Sequence, residues 1–209
     1  MSTPDLPEQF FARQDESPDS LFYHEARLTT HIDDATIAAL TDFYREVLSP
    51  SDRLLDLMSS WISHLPPEVS YERVSGHGMN QAELARNERL EDFVVQDLNE
   101  DPVLPWPDHQ FDVVLMTVSV QYLTRPFDVF REIARVLATR GRCVVAMSHR
   151  LFPTKAIYAF QVLPPADRCR LVASYMNLAG IDQIEIIDRS PPDADPLWLV
   201  VGSKSDTIT

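Results

Sequence analysis

The amino-acid sequence predicts an α/β fold, a mostly parallel sheet with helices on both faces. Two observations carry that prediction. Short apolar runs alternate along the chain with segments whose apolar residues recur at three- and four-residue steps. One of these runs, FDVVLMTVSV from Phe111, is near-continuously apolar, as a strand covered on both faces should be. With 209 residues and a 44% hydrophobic composition, the chain suits one globular domain with a sizeable core.

The elements follow in order. Residues 1–20, rich in Pro, Asp, Ser and Glu, are expected as a flexible solvated leader ahead of a single domain over 21–209. In HIDDATIAALTDFYREVL, Asp33 or Asp34 is placed to cap a helix whose apolar face is Ile37, Leu40, Phe43, Tyr44 and Val47. RLLDLM reads as a first strand and YERVSG as a second. MNQAELARNERL has helical spacing through Met79, Leu84 and Leu90, DFVVQDL is a third strand, and FDVVLMTVSV a fourth. PFDVFREIARVLATRG opens on Pro126 and closes on Gly141, a start and stop for a helix, and leads into the strand RCVVAMS. After a Pro-marked insert, RCRLVASYMNLAG reads as a helix stopping at Gly180, followed by the strand-like runs DQIEIID and LWLVVGSK.

Composition excludes several functions. Eighteen Lys and Arg against 32 Asp and Glu give a net charge of −14, which repels polyanions and disfavours nucleic acid as a partner. No stretch approaches the roughly 18 apolar residues of a membrane span. The N-terminus carries early acids and no long apolar run, so neither a signal nor a transit peptide is expected. Cys143 and Cys169, both in apolar surroundings, offer no disulfide framework and suggest a reducing, cytoplasmic setting. No Cys and His spacing suggests a metal site.

In parallel sheets ligands sit outside the carboxyl ends of the strands. The loops there carry a more specific pattern. From Asp97 to Met147 an acid-bearing loop, a Pro-rich turn, FDVV, a variable loop, a helix reading REIARVL and a Gly-bearing turn into strand five follow in fixed order. This composite resembles the class I S-adenosylmethionine-dependent methyltransferases of the small-molecule type, a likeness that extends over roughly residues 50–203. The resemblance implies a Rossmann-like, seven-stranded, mostly parallel sheet with LWLVVGSK inserted antiparallel, and S-adenosyl-L-methionine as cofactor. It also implies a first motif of an acid and alternating glycines, which here falls on Asp56, Met58, Ser60 and Ile62. The acid is present and the glycines are not. Ser59, Ser60 and Ser63 with Asp56 offer a hydrogen-bonding wall in their place, and Trp61 a surface for a ring or a cation. The acid that grips the ribose in relatives falls on Gly78 of SGHGMN, with His77 and Asn80 flanking the gap, and the resemblance places Gly76, His77, Gly78 and Asn80 at the cofactor. The family's adenine-side acid matches Asp97, with Leu98 beside it. Thr117 to Tyr122 takes the place of the loop that faces the methyl group, with Gln121 and Tyr122 where many relatives have histidines.

Histidine changes charge near neutrality and is the natural acid-base candidate. His31 precedes the first helix, in a segment that lies over the cofactor in this fold class and would bring Tyr23 and Arg27 with it. His64 and His77 are in the first two loops, and His149 follows strand five. The expected catalytic set is therefore His31, His149 and Tyr122. Tyr23, Arg150 and Lys155 are expected to receive a small acceptor, the two cations suiting an acidic one. The competing function is a methyltransferase fold without methyl transfer, serving as a ligand-sensing or partner-binding module. That reading expects a cleft filled by Met58, Trp61 and Ile62. The enzyme expects an open one faced by Asp56, Asp97 and Asn80. Dinucleotide-dependent oxidoreduction lacks both the glycine fingerprint and the ribose acid. Oligomeric state is not readable from the sequence.

Overall fold

The computed structural model describes residues 6–205. Seven strands form one sheet in the order β3-β2-β1-β4-β5-β7-β6. β1 (Arg53–Asp56), β2 (Arg73–Gly78), β3 (Asp92–Val95), β4 (Phe111–Thr117) and β5 (Leu137–Met147) run parallel. β7 (Trp198–Lys204) enters antiparallel between β5 and β6 (Ile181–Asp188), as the resemblance implied for LWLVVGSK.

Side-chain alternation explains why the central strands are apolar throughout. Along β4, Val113 and Leu115 pack on one face with Leu40, Phe43 and Tyr44, while Val114 and Met116 pack on the other with Phe130, Ile133 and Tyr175. The first face is covered by α2 (Asp34–Val47), whose cap is Asp33, its carboxylate accepting from the Thr36 N–H at 2.9 Å. The opposite face is covered by α4 (Pro126–Val136) and α6 (Pro165–Leu178).

Three element boundaries differ from expectation for local reasons. The helix expected over 79–90 is one turn, α3 (Gln81–Leu84), followed by three-residue turns that drop Leu90 against Gly76. α4 ends at Val136 and the chain passes directly into β5, so Gly141 serves a bend within that strand and not a helix stop. A Cβ there would lie 2.8 Å from the Ala138 carbonyl oxygen. α6 starts at Pro165, earlier than Arg168, because Pro is accepted in a first helical turn. Gly180, at φ +81°, follows its last turn.

Residues 1–5 of the expected leader lie outside the described residues. Residues 6–20 are docked on the domain. A 3-10 turn over Glu8–Phe11 lays Phe10 and Phe11 against the core, and the chain runs into the single-turn helix α1 (Asp19–Phe22). Charge holds this segment in place. Lys155, fully buried, sits 3.1 Å from Asp19 and 3.2 Å from Asp15 and donates to the Ser17 carbonyl at 2.6 Å. Asp19 also accepts from Arg13 Nη1 through both carboxylate oxygens and from Asn99 Nδ2. The composition signalled solvation because it shows the acids and not the buried cations they meet.

Candidate active-site cleft

A cleft opens at the carboxyl ends of β1, β2 and β4, roofed by residues 19–32. Met58, Trp61 and Ile62 stand in its wall and do not fill it, with Asp56, Asp97 and Asn80 around the same space.

The β1 loop keeps the cleft open without glycine. Met58 adopts φ +57°, a left-handed conformation that glycine takes without strain. The backbone therefore turns as it would for the first glycine of the motif, at a steric cost carried by Met58. Beyond it the loop is pinned by hydrogen bonds. Ser59 N donates to the His77 carbonyl at 2.6 Å, and Asn87 Nδ2 donates to the Ser60 carbonyl at 3.0 Å and to Ser63 Oγ at 2.8 Å. Ser60 Oγ donates to Glu83 Oε2 at 2.6 Å.

This pinning accounts for the missing ribose acid. The Ser59 carbonyl oxygen would lie 2.4 Å from a Cβ placed on Gly78, so no side chain fits at that position. The absent glycines and the absent acid are thus one structural change: the loop leans on β2, and β2 gives up its side chain. Gly76 has a different reason. A Cβ there would strike Leu90 Cδ1 at 2.4 Å, and Gly76 does not line the cleft. It is a packing glycine, which corrects its expected place in the cofactor site.

Asp56 is only 3% exposed, and burial pushes its carboxyl up to about 6 against the pull of the Ser59 and Ser63 hydroxyls. Ser59 Oγ donates to it at 2.6 Å. His77 is 1% exposed and burial pushes it down to about 4, so the ring is neutral at neutral pH. Neither ring nitrogen has a hydrogen-bond partner among the described residues, although the side chain lines the cleft. Asp97, half-buried, is raised chiefly by desolvation and accepts from the Asn99 N–H at 2.9 Å; Leu98 is buried beside it. Thr117 is present too, its hydroxyl sharing a 2.7 Å hydrogen bond with Tyr44.

Asn80 is in the wall but is already committed. Its Oδ1 accepts from the Ala82 and Glu83 N–H groups as the cap of α3, and its Nδ2 donates to the Tyr23 and His24 carbonyls. It fastens the roof to the wall and has no spare donor for a ribose.

The roof carries Tyr23, Arg27 and His31. Burial raises the Tyr23 hydroxyl well above the ordinary tyrosine range and lowers His31. His31 meets the edge of Phe152 at 5.2 Å, and Phe152 stacks on Tyr122 at 5.8 Å. The Tyr122 hydroxyl accepts from the Phe152 N–H at 2.9 Å, which leaves its own proton free to donate. His64 lines the cleft with Nδ1 buried and unpartnered, pushed down to about 4 by burial.

Three expected residues lie elsewhere. Lys155 is spent on Asp15 and Asp19 and does not reach the cleft. His149 Nε2 and Arg150 Nε each meet Asp195 at 3.0 Å, on side chains 51% and 58% exposed, outside the cleft lining. They follow β5, and the chain turns them toward the 33–36 segment, where Asp195 is already bonded to Asp33 and Thr36. Three residues were missed. Asn87 and Asn99 are short polar side chains in turns, with no pattern to mark them. Glu83 had a signal: Asn80-x-x-Glu83 has the spacing of a capping box. Its carboxylate takes Ser60 Oγ and the Arg27 N–H.

Residues 70–145 match the family model described as a methyltransferase domain. Methyltransferase GfsG of Streptomyces halstedii is 33% identical over 123 residues, covering 53% of this chain and 44% of that protein. The chain therefore spans less than half the length of the curated relative it matches. Among solved structures, the Haloferax volcanii putative methyltransferase in complex with its Trm112 activator superposes with a TM-score of 0.63 at 15% identity, covering 84% of this chain and 92% of the other. The [4+2]-cyclase SpnF gives a TM-score of 0.60 at 18% identity, covering 79% and 80%. At such identities these two likenesses speak for the fold alone. Residues 70–145 are thus similar to methyltransferase domains, and the seven-stranded order of the sheet is that of the class I S-adenosylmethionine-dependent methyltransferase fold.

Proposed function

We propose that this protein transfers a methyl group from S-adenosyl-L-methionine to a small-molecule acceptor. One observation carries the reading: the cleft stays open, with Asp56 and Asp97 in its wall, although the first motif has lost its glycines. The polar groups around it suit the cofactor. Asp56, the hydroxyls of Ser59 and Ser60, the two unpartnered nitrogens of buried His77, and Asp97 offer acceptors for an ammonium and partners for ribose and adenine. Bound cofactor supplies an electrophilic methyl on sulfur. The residues at the other end orient the acceptor, which is where most of the acceleration in such a transfer arises. Tyr122 can donate to it, and His31, kept neutral by its surroundings, can take the proton an oxygen or nitrogen acceptor loses.

The fold by itself does not decide against the reading without methyl transfer, since a structure named as a [4+2]-cyclase shares it. That reading loses its sequence argument once the cleft is open. The placement in a reducing compartment is supported by Cys143 and Cys169, both buried and free. Among the described residues no helix is long and apolar enough to cross a membrane.

Calorimetric titration with S-adenosylmethionine and S-adenosylhomocysteine tests the proposal. Micromolar binding that weakens at least about tenfold in Asp97→Ala is the expected result. Absence of binding at millimolar ligand contradicts it.

A further inference from the structure

Arg27 is the one arginine or lysine lining the cleft among the described residues, beside Asp19, Asp56, Glu83 and Asp97. None of these acids forms an ion pair with its guanidinium; Glu83 accepts only from its backbone N–H. Aromatic rings hold the guanidinium instead. Its central carbon lies 4.5 Å from the Phe22 ring centroid, 5.5 Å from Phe152 and 5.8 Å from Tyr23. Nη2 donates to the Phe22 carbonyl at 2.7 Å, while Nη1 is buried with no partner. A cation whose faces are covered by rings still presents donors along its edge, and a buried edge without an acceptor calls for one.

We propose that Arg27 is the receptor for a carboxylate on the acceptor, so that the substrates are small carboxylic acids that also carry the atom to be methylated. This rests on the function proposed above and on its reading of Tyr122 as an acceptor-side residue. Phe152 joins the parts: Arg27 lies by its ring, Tyr122 stacks on it, and His31 meets its edge. A carboxylate on Nη1 would place the rest of a small acid beside the Tyr122 hydroxyl and the His31 ring. The surrounding acids sharpen the selection. A negative group is repelled from Glu83, Asp97 and Asp19 and has a single attractive pole in the cleft, which fixes its orientation as well as its identity. Arg150 and Lys155, the cations first suggested by sequence for an acidic acceptor, are engaged with Asp195 and with Asp15 and Asp19.

The test uses the full chain saturated with S-adenosylhomocysteine, titrated calorimetrically with salicylate, phenylacetate and their uncharged amides. The acids should bind more tightly than the amides by about tenfold or more, Arg27→Gln should erase that preference, and Arg27→Lys should restore part of it. S-adenosylhomocysteine and methylthioadenosine should bind the Arg27→Gln protein as they bind the wild type. Equal binding of acid and amide, no binding of either acid, or a preference that survives in Arg27→Gln overturns the proposal. So does a variant that loses S-adenosylhomocysteine but keeps methylthioadenosine, because Arg27 would then hold the cofactor's own carboxylate. If S-adenosylhomocysteine fails to bind the wild type, it is the function proposed above that fails. Thermal melting of each variant, with the wild-type midpoint expected, separates these outcomes from misfolding.

Discussion

The two sides of the cleft are built by different means. On the β4 side, positions are set by apolar packing: Val114 and Met116 interlock with α4 and α6 across a continuous core. On the β1 and β2 side, they are set by hydrogen bonds from side chains to backbone and by one close approach, that of the Ser59 carbonyl to Gly78. Packing tolerates exchange among apolar residues of similar volume. A pinned loop depends on particular groups, and a change in one strand must be met by a change in the next.

The largest test of that contrast is to restore what relatives have. Gly78→Asp should force Ser59 away from β2, costing about 3 kcal/mol or more in stability and abolishing S-adenosylhomocysteine binding. Denaturant unfolding and calorimetry read the two effects. Were the variant stable and a tighter binder, the coupling between the loops would be wrong.

A second test uses pH. His77 has a folded pKa of about 4 against an ordinary 6.5, so the unfolded chain takes up the proton first as pH falls. The protonation-linked cost of its burial is therefore absent above about pH 6.5 and grows progressively down to about pH 4, to roughly 3 kcal/mol in all. His64 acts in the same direction, and Asp56, raised to about 6, acts in the opposite one. His77→Leu should lose correspondingly less stability between those pH values, measured by urea midpoints across the range. An unchanged pH dependence would show that the ring is not held neutral.

The smallest effect is expected at Met58. Met58→Gly relieves the left-handed strain but frees the unfolded chain, so stability should rise by less than about 1 kcal/mol. A loss of more than that would mean the Met58 side chain supports the loop.

What was legible in the sequence follows the same division. Apolar patterning revealed β4, α4 and the β7 run because packing writes itself into residue type, while the antiparallel insertion of β7 was implied by the family resemblance. It overran α3, since Leu84 and Leu90 keep helical spacing while the chain between them turns in threes to carry Asn87 to the β1 loop. The acids at Asp56 and Asp97 were readable from position in a pattern. The reason for Gly78 was not, because a carbonyl contact from 19 residues upstream leaves no trace in composition. Charge was misleading for Lys155, Arg150 and His149: the residue types suited a ligand, but Asp15, Asp19 and Asp195 reach them first.

A crystal structure with S-adenosylhomocysteine is the most direct measurement. The account predicts that the ligand lies between Asp56 and Asp97 with the Ser59 carbonyl still against Gly78, and that a His77 ring nitrogen is bonded to the ligand or to a water at its edge. A β1 loop that swings off β2 to admit the ligand, or a cleft that remains closed to it, would contradict the claim that this loop is a cofactor cradle built without glycine.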